Sequence, residues 1–123
     1  MIEESYVSRD TARMLKEAGF DEVCRSAYYA TGNSAVMYER NSMLSPGYVS
    51  RPTQALAARW LREVHHYAIC VWFSKDHEKW FYAHGDMDNM VFDTNYNISE
   101  FIFDSYEEAF EAGLQEAIKL IKK

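Results

Sequence analysis

The segment 104–121, "DSYEEAFEAGLQEAIKLI", constrains the fold most, because it predicts a long helix with one apolar face. Ser105 and Glu108 have the S-x-x-E spacing of a capping box, which satisfies free backbone N–H groups at the start of a helix. Apolar residues then recur three and four positions apart: Tyr106, Phe110, Leu114, Ala117, Ile118 and Ile121. Such a helix needs a second layer to cover its stripe, and the rest of the chain must supply that layer.

The charged residues of this helix follow the helix dipole. Acidic residues crowd its first turns and lysines its last: Glu107, Glu108, Glu111, Lys119, Lys122 and Lys123. We interpret the acids as a solvated face rather than as acid–base catalysts.

Two further helices are predicted upstream. Ser8 can cap a helix over about 9–18, and Gly19 followed by Phe20 suits a Schellman ending, with Phe20 folding back on Leu15. A second helix starts near Pro52, since proline is tolerated in a first turn. Its apolar stripe is Leu56, Ala57, Trp60, Leu61 and Val64, and the residues predicted off the stripe are Gln54, Arg59, Arg62 and Glu63.

Two adjacent histidines, His65 and His66, end this second helix within "ARWLREVHHYAICVWF". Adjacent helical residues point about 100° apart, so the two rings cannot face one site. We expect His65 at the edge of the core, His66 in solvent, and a direct turn from helix into strand.

The composition of the remaining segments predicts β-strands. The predicted strands are 22–30 and 35–40, joined by "TGNS", then 67–73 with its hairpin partner 80–83, and 100–103. The segment 67–73 is apolar at every position but its tyrosine end, which suits a central strand covered on both sides. The order α-β-β-α-β-β-(β)-α predicts a single α+β domain over 1–123, with three helices and an antiparallel sheet of four to five strands.

The charge balance argues against some classes of function. The net charge is −6, and the basic residues are scattered, so nucleic-acid binding and docking on anionic membranes are disfavoured. No secretory leader and no apolar run near the roughly 18 residues of a membrane span is visible. We therefore expect a cytoplasmic protein in which Cys24 and Cys70 are buried free thiols.

No catalytic or cofactor motif is present: the sequence has no nucleophile elbow, no phosphate-binding glycine loop and no helical metal-binding H-E-x-x-H. We therefore favour a non-enzymatic role without a cofactor. The alternative is a small-molecule-binding, metal-binding or hydrolytic domain that uses the His77–Asp88 region. Its candidate ligands are His77, His84, Asp86 and Asp88.

Aromatic residues are the main candidates for binding. The chain has seven Phe, nine Tyr and three Trp, and several of them lie on predicted strands. Most of these rings must lie in the core, or else some are left for a binding surface. The set that points away from the helices could be a second core layer, a protein interface or a ligand pocket. Our candidate binding residues are Trp72, Tyr48, Trp80 and Tyr82, together with the loop Met43–Tyr48, and the expected occupant is an unknown protein partner or a second copy of the chain.

Three stretches, "YVSRDTARMLKEAGFDEVC" (6–24), "RPTQALAARWLREVHH" (51–66) and "DSYEEAFEAGLQEAIKLI" (104–121), resemble a family of small proteins encoded by gut Bacteroidetes and their phages or prophages. They cover about half of the chain. The family brings no established activity, so the resemblance implies a phage or prophage accessory factor and no mechanism.

A looser likeness is to HicB-type antitoxins, which carry a hairpin, a further strand and a helix that starts with a similar acidic pattern. The corresponding residues here are "WFYA" and "FDSYEEAFEAGLQEAI". The Pro-Asp-Leu-Pro-Gly motif of that group is missing, so the likeness implies an antitoxin-type module only by analogy of fold.

Overall fold

The chain alternates helices with antiparallel hairpins in the computed structural model, which describes residues 2–88 and 97–121. The elements are α1 (Arg9–Glu17), β1 (Cys24–Tyr28), β2 (Ser34–Glu39), a short 3-10 helix (Asn41–Met43), β3 (Val49–Ser50), α2 (Gln54–His65), β4 (Tyr67–Ser74), β5 (Lys79–Asp86), β6 (Asn97–Ile98) and α3 (Tyr106–Ile121). The predicted α+β class with three helices and antiparallel strands is confirmed.

Within the described residues, the strands form two sheets of three strands each, where the sequence predicts one sheet of four to five strands. Sheet 1 has the order β2-β1-β3, and sheet 2 has the order β4-β5-β6. The helix α2 follows β3 and precedes β4, so along the chain it connects the last strand of sheet 1 to the first strand of sheet 2. Sheet 1 contacts α1, sheet 2 contacts α3, and both α1 and α2 contact α3, so the helices connect the sheets.

One hydrophobic core runs through the helices. It contains Leu15 of α1, Leu61 of α2 and Leu114 of α3, none of which is exposed to solvent. Phe20 packs edge-on against Trp60, with ring centroids 5.3 Å apart. The helices α1 and α2 therefore each pack against α3 as well as against a sheet, and α3 packs against both of them and against sheet 2. Among the described residues, no helix combines the length and the apolar character that crossing a membrane requires.

The local signals of α1 are confirmed. Ser8 is the N-cap, and its hydroxyl accepts a hydrogen bond from the Thr11 N–H at 3.2 Å. At the other end, Phe20 N–H donates to the Leu15 carbonyl at 2.9 Å, and Gly19 has a φ of +98°. This is the Schellman geometry that the sequence predicts.

The start of α2 differs from the prediction. The predicted first-turn proline lies outside the helix: Thr53 is the N-cap, because its hydroxyl accepts the Leu56 N–H at 3.1 Å. Pro52 lies just before the cap. The stripe is also rotated: Val64 is 55% exposed, whereas Gln54 is buried.

Two strand predictions are wrong in detail. The strand β4 is not central: it lies at one side of sheet 2, and Cys70 and Trp72 on it are exposed. The predicted strand at 100–103 is reduced to a single bridge between Phe103 and Trp80, and the third strand is β6. Ser99 ends β6, because its hydroxyl accepts the Tyr82 N–H at 2.9 Å in place of a strand carbonyl.

The capping box of α3 is present in modified form. Glu108 N–H donates to the Ser105 hydroxyl at 3.1 Å, as predicted, while the Glu108 carboxylate accepts the N–H of Asp104 at 3.4 Å. Leu114, Ala117 and Ile118 of the predicted stripe are fully buried, whereas Tyr106 at its start is 41% exposed. Lys122 and Lys123 lie outside the described residues.

Candidate functional site

The two faces of sheet 2 differ in their surroundings. The inner face lies against α3: a Cβ atom added to Gly113 would lie 3.1 Å from Ile69 and 3.2 Å from Tyr82. Because side chains alternate along a strand, Trp72 of β4 and Phe81 of β5 point to the opposite, outer face.

The outer face carries a row of aromatic rings. Trp72 and Phe81 are directly paired across the hairpin, with ring centroids 5.6 Å apart. Phe81 contacts Phe101 edge-on at 4.6 Å, and Phe101 stacks on His77 at 4.5 Å with an interplanar angle of 12°. Ile98 pairs with Ala83 and lies on the same face.

We call the outer face the set Cys70, Trp72, Phe81, Ile98 and Phe101. Trp72 is 48% exposed, Ile98 is 56% exposed and Phe101 is 37% exposed. Phe81 between them is half-buried. A contiguous apolar patch of this kind is typical of a contact surface, whereas an isolated exposed apolar residue is not.

The strand β4 adds a second feature to this surface. Within residues 2–88 and 97–121 it pairs with β5 alone. Its sequence, "YAICVWFS", contains neither charge nor proline, the usual protections of an edge strand. The sequence of β4 therefore carries neither of these two protections at the edge beside Trp72.

Two of the predicted binding residues, Trp80 and Tyr82, lie on the inner face rather than beside Trp72. Trp80 packs edge-on against Tyr106 at the start of α3, with ring centroids 5.6 Å apart. Tyr82 lies against α3, and burial raises the pKa of its hydroxyl. These two rings attach the hairpin to α3.

The fourth predicted residue, Tyr48, immediately precedes β3 of sheet 1. Its ring packs edge-on against Tyr29 with centroids 5.1 Å apart, and its carbonyl accepts a hydrogen bond from Lys16 at 3.3 Å. The loop Met43–Tyr48 thus flanks β3 and not the outer face of sheet 2.

The four candidate metal ligands are not brought together. His77 lies in the turn between β4 and β5 and its ring is hydrogen-bonded to Ser74 at 2.8 Å, while Asp86 is at the far end of β5. Eight strand residues span roughly 24 Å. Asp88 lies 3.3 Å from the exposed His66. Among the described residues, no group of three or more His, Cys, Asp and Glu side chains is arranged to hold a metal ion.

His84 is buried and hydrogen-bonded to a neighbouring strand. Its ring is 5% exposed, and Nδ1 lies 2.7 Å from the hydroxyl of Tyr67. Burial lowers the pKa of His84, and the negative charge of Glu116 opposes this effect in part. The imidazole is therefore neutral and hydrogen-bonded within the core at neutral pH.

The two cysteines differ. Cys24 is buried, and this burial raises the pKa of its thiol to about 11. Cys70 is exposed, so the prediction that both thiols are buried is wrong for Cys70. The error follows from reading β4 as a central strand, because its outer face is open.

Sequence reasoning identified Trp72 but missed the rest of the outer face. Side chains two positions apart on a strand share a face, so the sequence alone could have placed Cys70 beside Trp72. The position of Phe81 on this face depends on the hairpin register, in which Ser74 pairs with Lys79. The position of Phe101 depends on the path of the chain after β6. Neither can be read from local periodicity.

Comparison with known proteins does not assign a family: no family model matches the chain, and no curated protein or solved structure matches it. A function must therefore be inferred from the chemistry of the surfaces described above.

Proposed function

We propose that this chain is a non-enzymatic protein that acts through protein–protein contacts, and that the outer face of sheet 2 is its contact surface. The observation that carries the proposal is the aromatic row of Trp72, Phe81 and Phe101, in which Trp72 and Phe101 are exposed and Phe81 is half-buried between them. Large aromatic residues are the usual anchors of protein interfaces, because each buries a large area with few rotatable bonds.

The occupant that we propose is a second copy of the chain. Each copy carries a net charge of −6, so two copies repel one another over most of their surfaces. The five residues of the outer face carry no charge, and the adjacent Lys79 on the same side of β5 is paired with Asp104, so two copies can meet here with little repulsion. An isologous contact around a two-fold axis would place the two Trp72 side chains close to the axis.

The position of β4 at one side of sheet 2, among the described residues, supports the same surface. A strand without charge or proline can pair with an added strand through its backbone. Because Trp72 belongs to this strand, face and edge form one continuous region, and association there would cover both.

A concentration series by light scattering tests this proposal. We expect the weight-average mass to rise from that of one chain, 14.4 kDa, towards twice that value as concentration increases. Over the same series, the reaction of Cys70 with a thiol reagent should slow, because Cys70 lies on the outer face. A constant monomer mass with unchanged Cys70 reactivity would contradict the proposal.

We extend the proposal to the setting of the protein: a cytoplasmic accessory factor of a phage or prophage. The support is the resemblance of segments 6–24, 51–66 and 104–121 to the small gut Bacteroidetes proteins described above. Genes for phage structural or replication proteins next to this gene are the expected result. Neighbours with only chromosomal housekeeping functions would contradict it.

A further inference from the structure

A second surface feature lies on sheet 1, away from the outer face of sheet 2. It is a groove of about 210 Å³. Its lining includes Tyr6, Arg25, Ser26, Val36, Tyr38 and Arg51. The groove thus combines two guanidinium groups with hydroxyl groups and an apolar wall.

Arg51 is held in place by the protein. Its guanidinium lies 3.9 Å from the centre of the Tyr6 ring and 5.4 Å from that of Tyr28. Its Nη1 donates to the Ser26 hydroxyl over a long distance of 3.4 Å, and its buried Nε has no hydrogen-bond partner among the described residues. Arg51 is therefore fixed in position while most of its donor capacity is unused.

A β-bulge brings Arg25 to the same groove. Cys24 pairs with Glu39 and Ser26 pairs with Val36, so two residues of β2 face the single residue Arg25. Consecutive residues such as Arg25 and Ser26 ordinarily point to opposite faces of a sheet. A bulge redirects side chains locally, which accounts for both residues lining one groove.

The two arginines lack counter-charges. Within residues 2–88 and 97–121, neither Arg25 nor Arg51 forms an ion pair with a carboxylate, although the chain has 19 acidic residues and 13 basic ones. Two like charges at one groove repel each other, and an anion placed between them removes that repulsion. The arrangement therefore favours a doubly charged anion over a neutral ligand.

We propose that this groove binds a small organic phosphate monoester. The phosphate lies between Arg25 and Arg51, since guanidinium groups match its oxygen atoms in geometry and charge. The organic part packs against Val36 and Tyr38, which are 74% and 65% exposed. The groove has room for one small molecule, and the net charge of −6 disfavours a polyanion.

Calorimetric titration of the full chain with phenyl phosphate tests this site. We expect saturable binding that weakens as ionic strength rises. Arg51→Gln and Arg25→Gln should each weaken binding by about tenfold or more. Arg62→Gln, which removes an exposed arginine from α2, should bind as the wild type does.

Two further ligands separate the contributions of the anion and the ring. Inorganic phosphate should bind more weakly than phenyl phosphate, and phenol should not bind measurably. Equal binding of phenol, equal binding of inorganic phosphate, or no heat with phenyl phosphate at millimolar concentration would each overturn the proposal. Arg25 is exposed, so its variant keeps the test valid even if Arg51→Gln unfolds, and wild-type affinity in Arg25→Gln would also overturn it.

Discussion

The carboxylate of Glu111 accepts a hydrogen bond from the hydroxyl of Thr11, which lies 100 residues earlier in the chain. The same carboxylate accepts the backbone N–H of Ser8 at 2.9 Å, and Gln115 donates to the Thr11 hydroxyl at 3.0 Å. Gln54 of α2 donates to Glu111 at 3.2 Å. A polar junction thus holds the starts of α1 and α2 against α3, in addition to the apolar core.

Replacing Glu111 by Ala should therefore destabilise the fold. The fully buried Thr11 hydroxyl and the Ser8 N–H would both lose a charged acceptor, and the expected loss is about 1–3 kcal/mol in the free energy of unfolding. Urea denaturation followed by circular dichroism measures it. Glu107→Ala is the matched control, because Glu107 is an exposed acid on the same helix; an equal loss in both variants would argue against the junction.

Stability should depend on pH through His84. Burial lowers the pKa of His84 in the folded chain below its usual 6.5, so below that pH the unfolded chain binds a proton that the folded chain does not. The free energy of unfolding should fall as pH drops from 7 towards 5, with a slope of at most about 1.4 kcal/mol per pH unit from this group. Above pH 6.5 the unfolded chain no longer binds this extra proton, so His84 no longer lowers the free energy of unfolding.

The variant His84→Gln tests whether His84 causes this pH dependence of the free energy of unfolding. It keeps a hydrogen-bonding partner for Tyr67 but cannot titrate, so its stability should fall less between pH 7 and pH 5. His77→Gln, which changes an exposed histidine, should retain the wild-type slope. A wild-type slope in His84→Gln would show that another group is responsible.

The two thiols should react at different rates. Cys70 is exposed, whereas burial raises the pKa of the Cys24 thiol to about 11 and shields it from reagents. Titration of the native, dilute protein with a disulfide reagent should release one equivalent quickly, and the second only in denaturant. Loss of the fast phase in Cys70→Ser identifies the residue, and two fast equivalents would contradict the burial of Cys24.

Gly113 sets how closely α3 approaches sheet 2. A Cβ at this position would lie 3.1 Å from Ile69 and 3.2 Å from Tyr82, so a branched side chain cannot fit without movement of the hairpin. Gly113→Val should lower the free energy of unfolding by about 1–3 kcal/mol even though valine has the higher helix propensity. Thermal denaturation compared with Ala112→Val, one residue earlier, measures this; similar melting temperatures in the two variants would contradict the close approach.

Features with local causes were predictable from the sequence. The cap at Ser8, the left-handed Gly19 and the capping interaction of Ser105 each involve residues within one or two helical turns. His65 and His66 also lie as predicted: His65 is half-buried against Trp60, with ring centroids 4.7 Å apart, and His66 is exposed.

Features with distant causes were not predictable. The sequence predicts that Glu111 is a solvated acid and that Gln54 lies off the core. Both predictions are wrong because the two side chains bond to each other across two helices, and local periodicity does not reveal such a contact. The open face of β4 was missed for a related reason. An apolar run such as 67–73 fits a covered central strand and a strand with an unoccupied contact face equally well.

Sedimentation equilibrium of the variant Trp72→Ser tests the central claim most directly. Trp72 lies on the outer face, and Val64, which is 55% exposed on α2, provides the matched control Val64→Ser. We predict that the wild type and Val64→Ser form dimers and that Trp72→Ser stays monomeric at the same concentrations, with unchanged circular dichroism. A monomeric wild type, or a Trp72→Ser dimer as stable as that of the wild type, would contradict the assignment of the outer face as the contact surface.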